Sequence, residues 1–492
     1  MDEIKLSDDV IEQIKDFFHD DLTEEQNSLI DKLISNEKLK ERYKEYDLCH
    51  ECNQINTGHD YCRSCKSKYF QQNFKNWTSG NHKVDEFIQK AQLEAEHYVK
   101  IIEWIEYDKF EDIEYLAKGG FSTTYKAIWK NGNIHSIKRN GQLRRTGEVK
   151  VALKCLHNSQ EITADFLKEV ESNILACDPT SSFVVCCFGI TKDPKTNNFM
   201  MVMKLKECSL RQHLNINFNS LNWGNKISLL EDISHGLKDI HNSELIHHDF
   251  HCGNLLNDSG LAYVTDLGLC QPANVKSSQN DKKEIYGVLP YVDPEVLRGK
   301  EYTQESDIYG FGIIAYEICT GLPPYHDIPH DEFLAMKICN GLRPRSDYKI
   351  PQFIFDIINQ CWDAVPSKRP KAVELYSLFI DLYGDYCRGD FTIWKQAKEA
   401  DEINKKSLSS TVQPALSSTG ALSYTTHPQA VYTSRLLDFK NLPEPKNAEN
   451  NDDLFEKEYS ESLRINFTNL DINSKVIHLL RHISISAPPL GP

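Results

Sequence analysis

The chain has 492 residues, of which 56 are Lys or Arg and 72 are Asp or Glu, giving a formal net charge of −16. An acidic balance of this size excludes broad electrostatic binding to nucleic acid or to an anionic membrane surface. Hydrophobic residues make up 40%, enough for a sizeable core in at least one of the roughly two to four domains that the length suggests.

Met1-Asp2-Glu3-Ile4-Lys5 has no apolar leader region, and no stretch approaches the ~18 uncharged apolar residues of a spanning helix, so a soluble cytoplasmic protein is expected. Residues 1–46 read as helical: Thr23-Glu24-Glu25-Gln26 is a capping box, with Leu29, Ile30, Leu33 and Ile34 following on one face. Residues 47–66 hold Cys49-x2-Cys52-x9-Cys62-x2-Cys65. Four thiolates at this spacing suit a structural, tetrahedral Zn2+, and so short a segment cannot fold on its own apolar surface. A reduced cysteine loop or disulfides are the alternatives, and the scattered cysteines elsewhere are expected to be ordinary buried thiols.

Over 82–107, Val84, Ile88, Ala91, Ala95, Tyr98, Ile102 and Ile105 recur at alternating 4,3 spacing, which predicts one amphipathic helix. A seam this short containing two alanines is marginal as a coiled coil, so it is expected to pack on the neighbouring lobe. Over 110–386, short strand-like runs give way at Trp223 to helical periodicity. The expected fold class is α+β, with a β-rich small lobe, a helical large lobe and a cleft between them. An insertion at 131–148 carries Lys138, Arg139, Arg144 and Arg145, expected at a solvated hairpin tip. After 386 a short helical stretch, 394–404, yields to Ser/Thr/Pro/Asn-rich sequence, and 387–492 is expected to be largely disordered.

The chemistry lies in the middle of the chain. Val151-Ala152-Leu153-Lys154 is a strand ending in lysine, and Glu169 stands in the helical stretch 164–176, where a carboxylate can orient that lysine toward phosphates. His247-His248-Asp249-Phe250-His251-Cys252-Gly253-Asn254 follows the amphipathic stretch 223–241, and Asp266-Leu267-Gly268 comes shortly after. In this order and spacing the segments resemble the catalytic loop and Mg2+ motif of the eukaryotic protein kinases. The resemblance implies a bilobal kinase fold and transfer of the γ-phosphoryl of ATP to protein hydroxyls. It implies that Asp249 is the base, that Lys154 and Glu169 position phosphates, and that Asn254 and Asp266 hold Mg2+. It further implies nucleotide contacts at Ala117, Gly119 and Phe121 in the phosphate-covering loop, at Ala152, at Met203 as gatekeeper, and at Lys204 and Lys206 in the interlobe hinge.

Downstream, 287–295 resembles the end of an activation segment, and 306–312 resembles the helix whose aspartate braces the catalytic loop. Cys361-Trp362 with Arg369-Pro370 resembles the motif whose arginine pairs with Glu295. Some positions depart from the family pattern. Ala117 and Ser122 replace two glycines of the phosphate loop, where backbone amides approach phosphate, so weaker ATP affinity is expected. His248 replaces the arginine that binds a phosphorylated activation loop, which leaves control by charge pairing there in doubt. His251 and Val288 match neither serine/threonine nor tyrosine kinases; the tyrosine-kinase-like group, mostly Ser/Thr-specific, fits best. The expected partners are ATP and a protein substrate, with neither membrane nor nucleic acid. A pseudokinase scaffold or nucleotide sensor with a zinc-knuckle docking module is the alternative.

Overall fold

The strand-like runs after Phe110 pair into one sheet. The computed structural model describes residues 5–120, 122–137, 143–157, 159–160, 162–178, 182–273, 284–410 and 424–447. Its six-stranded sheet runs in the order Glu103–Trp104, Cys187–Lys192, Phe199–Lys204, Val149–Leu156, Ser122–Trp129, Phe110–Lys118. Side chains alternate across a strand. Val151, Leu153 and Cys155 therefore bury on one face with Phe110, Ala127, Trp129 and Val202, while Lys154 turns to the other, where Glu169 waits on the helix Ala164–Ala176. Thr163 caps that helix by accepting from the Phe166 N–H, and Phe166, Glu169, Val170 and Asn173 recur at helical spacing on its buried stripe.

The large lobe is helical, led by Trp223–Asn242, Gln304–Thr320, Gln352–Cys361 and Ala372–Arg388. Their apolar faces share one core, including Trp223, Ile233, Phe311 and Phe379. The whole is the expected α+β arrangement of two lobes. At the N-terminus Thr23 and Gln26 form the reciprocal capping box, and Ile14, Ile30, Ile34 and Tyr43 close a small separate core.

Four expectations need correction. The helix expected over 82–107 is confined to His82–Glu94. Beyond it the apolar residues stay buried in non-helical backbone, because Glu103–Trp104 finds a parallel strand partner at Gly189 and Ile190. That partner admits it only as glycine: a Cβ on Gly189 would stand 2.2 Å from the Glu103 carbonyl oxygen. The helix does pack on the small lobe, placing Val84 and Ile88 in one cluster with Phe166 and Val170.

Second, the basic insertion forms the expected hairpin, Ile134–Ile137 with Leu143–Arg145, with Arg144 exposed, but its strands pack on the protein. Ile134 and Ile137 bury against Tyr61, Phe70 and Tyr98, and Arg145 Nη1 bonds Glu103 Oε1 at 3.0 Å. Lys138 and Arg139 lie outside the described residues. Third, Cys177 and Cys186, expected as thiols, are joined as a disulfide with Cα atoms 5.8 Å apart. Fourth, the tail is not featureless. A helix spans Phe391–Ser410, and residues 424–447 return to the large lobe, where Arg435–Leu437 pairs antiparallel with Ile285–Gly287. Leu437 and Leu442 supply the apolar anchors that composition averaged over the whole tail conceals. The remainder of the expected disorder falls outside the described residues.

Candidate active site

Lys154 is 8% exposed. Its ammonium joins the lobes, with Nζ 2.5 Å from Glu169 Oε1 and 2.8 Å from Asp266 Oδ1. Burial alone would drive the ammonium toward neutrality, but the Asp266 and Glu169 carboxylates overcome it and raise the pKa above its ordinary value. Asp266 responds in the opposite sense: against burial, Lys154 holds its carboxyl below the usual range. Asp266 adopts φ +63°, a left-handed conformation tolerated where its surroundings fix it. Gly268 makes the approach of the two acids practicable, since a Cβ there would come within 2.9 Å of Glu169 Oε2.

The catalytic loop is held from below by Asp307 on the helix Gln304–Thr320. Its Oδ2 accepts from the His247 N–H (2.8 Å) and its Oδ1 from the His248 N–H (3.1 Å). These bonds hold His248 at φ +69°. The His248 ring stacks on Tyr302 with centroids 4.4 Å apart, and burial brings its pKa down to about 4. A neutral, stacked imidazole cannot replace the arginine that the sequence pattern lacks. His247 Nδ1 in turn accepts from the Asp249 N–H at 3.3 Å.

Asp249 is 8% exposed. Asn254 Nδ2 donates to its backbone oxygen (2.9 Å) and to Oδ2 (3.3 Å), which leaves the Asn254 amide oxygen as a free ligand atom. His251 Nε2 lies 3.5 Å from the same Oδ2. Burial pushes the Asp249 carboxyl up, but His251 and His247 outweigh it and hold the group below its ordinary range. Oδ1 is buried and makes no hydrogen bond of normal geometry, although the Ser434 hydroxyl is near enough to help hold the carboxyl down. From sequence His251 reads only as a mark of acceptor choice, and its contact with Asp249 is missed. The one sequence sign of it is an imidazole two residues from the acid in a tight loop.

The residues expected to contact nucleotide lie at or beside sheet positions. Ala152 pairs with Met203 across neighbouring strands, and Met203 is buried with Phe166 and Val170. Ala117 pairs with Thr124 at the mouth of the phosphate-covering turn, which is closed by the Gly119 N–H donating to the Ser122 carbonyl at 2.8 Å. Phe121 lies outside the described residues. Lys204 is exposed at the end of its strand. Lys206 commits its side chain elsewhere, 3.3 Å from Asp258 Oδ2 and over the Tyr263 ring, so only its backbone is left for the hinge.

Farther into the large lobe, Arg369 Nη2 meets Glu295 Oε2 at 2.9 Å, the pairing expected from sequence. Away from the cleft, the sulfurs of Cys49, Cys52, Cys62 and Cys65 lie within 4.8 Å of one another, with Cys49–Cys65 at 3.8 Å and Cys52–Cys62 at 3.6 Å.

Comparison with known proteins decides the family. The profile of the protein tyrosine and serine/threonine kinase family matches residues 110–379, more than half of the chain. The chain belongs to this protein kinase family. Among its relatives is the probable serine/threonine-protein kinase roco5 of Dictyostelium discoideum, 28% identical over 57% of this chain and 10% of that protein. Another from that organism is the dual specificity protein kinase pyk3, 26% identical over 61% of this chain and 21% of that protein. The tyrosine-protein kinase SPK-1 of Girardia tigrina is 24% identical over 54% of this chain and 51% of that protein. The kinase thus spans only about a tenth to a half of the length of these curated relatives. No helix among the described residues is long and apolar enough to cross a membrane.

Proposed function

We propose that this kinase is an active phosphotransferase of the tyrosine-kinase-like group that moves the γ-phosphoryl of ATP to serine or threonine hydroxyls of proteins. The observation that carries the reading is the buried Lys154 held by Glu169 and Asp266, together with a buried Asp249 whose Oδ1 makes no hydrogen bond of normal geometry. Phosphoryl transfer asks the protein mainly for positioning and charge stabilisation. Lys154 orients phosphate oxygens, and Glu169 fixes Lys154. Asp249 aims the acceptor hydroxyl and takes its proton. The acceptor assignment draws on relatives named as serine/threonine kinases.

Asn254 and Asp266 are hard oxygen donors suited to Mg2+, which when bound neutralises phosphate charge. The cysteine cluster fits zinc: a tetrahedron with Zn–S bonds of ~2.3 Å has edges of about 3.8 Å, close to the sulfur spacing, and the Glu51 N–H already donates to Cys49 Sγ at 3.4 Å. A cytoplasmic setting, where ATP is abundant, suits the active site.

The test is transfer of label from γ-labelled ATP with Mg2+ to a mixed Ser/Thr/Tyr substrate, with Asp249→Ala beside the wild type. Wild-type transfer orders of magnitude above the variant, recovered on phosphoserine and phosphothreonine, is expected. Transfer no greater than that of the variant, with nucleotide still bound, would establish the pseudokinase scaffold instead. Label confined to phosphotyrosine would overturn the acceptor assignment alone.

A further inference from the structure

We propose that Ser434 is an intramolecular phospho-acceptor, presented to Asp249 by the chain's own segment 424–447 lying in the acceptor groove. The proposal rests on the reading of Asp249 as the catalytic base.

Strand addition sets the register. Leu437, Leu436 and Arg435 pair with Ile285, Tyr286 and Gly287, so the segment extends the stretch that leads to Glu295 and Ser434 is the next residue along. Gly287 adjoins the carboxylate: a Cβ there would stand 3.9 Å from Asp249 Oδ1. Ser434 Oγ and Asp249 Oδ1 are both buried and both lack a hydrogen bond of normal geometry, yet the Ser434 hydroxyl is near enough to help hold the Asp249 carboxyl down. From above, the Ser434 carbonyl oxygen lies 3.6 Å from a Cβ placed on Gly120, in the turn of the phosphate-covering loop. One residue of the tail is therefore held between the turn that covers phosphate and the group that accepts an acceptor's proton.

The surroundings seat this residue rather than its neighbours. Tyr432, two residues earlier, commits its hydroxyl to the Pro324 carbonyl (2.8 Å) and its ring to the Arg211 guanidinium (4.5 Å), while Thr433 is exposed. The Val431 N–H donates to His330 Nδ1 at 3.1 Å, and Leu437 and Leu442 join the large-lobe core. Arg298 Nη1 meets Glu444 Oε2 at 2.6 Å. Main-chain pairing with side chains in pockets is the way an extended peptide docks on a sheet edge. The short serine side chain brings its hydroxyl to the Asp249 carboxylate, as a Ser/Thr acceptor would.

In the reaction Ser434 Oγ attacks the γ-phosphorus of ATP and its proton passes to Asp249. The new O–P bond replaces the bond to the β,γ-bridging oxygen, and ADP leaves with that electron pair. The product carries about −1.5 to −2 charges beside the Asp249 and Asp266 carboxylates, a like-charge placement that favours release of the segment. Until then it excludes other substrates from the groove.

The full-length chain, first dephosphorylated, is incubated with Mg2+ and ATP at two protein concentrations tenfold apart. Phosphopeptide mass spectrometry follows Tyr432, Thr433 and Ser434, and a degenerate serine peptide reports transfer in trans. The expected result is phosphate on Ser434 with a first-order rate constant unchanged by dilution. After preincubation with ATP, Ser434→Ala should show a severalfold higher KM for the peptide than wild type, since its segment stays docked. Peptide phosphorylation with Ser434 unlabelled, labelling at Thr433 or Tyr432 in its place, or a rate that falls with dilution would each overturn the proposal while leaving the kinase reading intact. Absence of label on both peptide and Ser434 would remove the two readings together.

Discussion

Asp249 is placed where opposing effects meet. Burial favours its neutral acid, yet His251 and His247 outweigh it and hold the carboxyl of the proposed base below its ordinary range. His251 Nε2, 3.5 Å from Oδ2, is the partner that can be removed with least disturbance, because its Nδ1 contact is only to the Gly253 N–H at 3.0 Å. His251→Gln should therefore let the Asp249 pKa rise. A base works deprotonated, so raising its pKa moves the acid limb of the kcat/KM profile to higher pH, with the plateau above pH 8 little changed. Superimposable profiles for variant and wild type would show that His251 has no part in setting the base. Much of the site is legible in the sequence, because Lys154, Glu169, Asp249, Asn254 and Asp266 stand in the order and spacing of the protein kinase pattern. The His251 contact is not, since it depends on how the short turn at Cys252–Asn254 folds the loop back on itself.

At the scale of elements, the helix Trp223–Asn242 buries a polar group that opposes the usual pH trend. Asp232 is 4% exposed, accepts from the Ala262 N–H at 2.8 Å, and has its pKa pushed up to about 7 by burial. A folded-state pKa above the unfolded value means that the stability is fully present below the unfolded pKa of about 3.8 and is lost as pH rises through about 7. Asp232→Asn keeps a neutral acceptor for Ala262. Between pH 5 and pH 8, denaturant unfolding should shift in favour of the variant by on the order of a few kcal/mol; a pH-independent difference would show that burial does not perturb Asp232. Helical periodicity identifies this helix correctly, whereas it overruns the one at His82–Glu94. The same 4,3 spacing is met beyond Glu94 by Tyr98 on a 3-10 turn and by Ala95, Ile102 and Ile105 on irregular backbone beside the strand Glu103–Trp104, and only the distant partner at Gly189 distinguishes the two. The order in the tail is hidden for a related reason: two leucines placed at the right strand are invisible to an average over a hundred polar residues.

Across the whole molecule, the cysteine cluster is linked in steps to the catalytic pair. The helix Arg63–Asn73 begins beside Cys62 and carries Cys65. From it Arg63 Nε and Ser67 Oγ both donate to the Leu93 carbonyl, at 3.2 and 2.9 Å, at the end of the helix His82–Glu94. Val84 and Ile88 of that helix bury against Phe166 and Val170, whose own helix holds Glu169 against Lys154. A kinase whose His248 cannot read a phosphorylated loop can thus have Glu169 positioned by packing from its N-terminal extension. Stripping the zinc proposed for the cysteine cluster and returning the protein to Mg2+ buffer should lower the transfer rate by on the order of tenfold, the size of a 1–2 kcal/mol coupling between sites, and added zinc should restore it. Cys52→Ser should act alike. Glu169→Gln, which has already lost the ion pair, should be insensitive to the stripping, because effects along one line of contacts are not additive. An unchanged wild-type rate in protein shown to be zinc-free would break the link at the cysteines. Equal losses in wild type and Glu169→Gln would mean that the metal stabilises the fold without acting through Glu169.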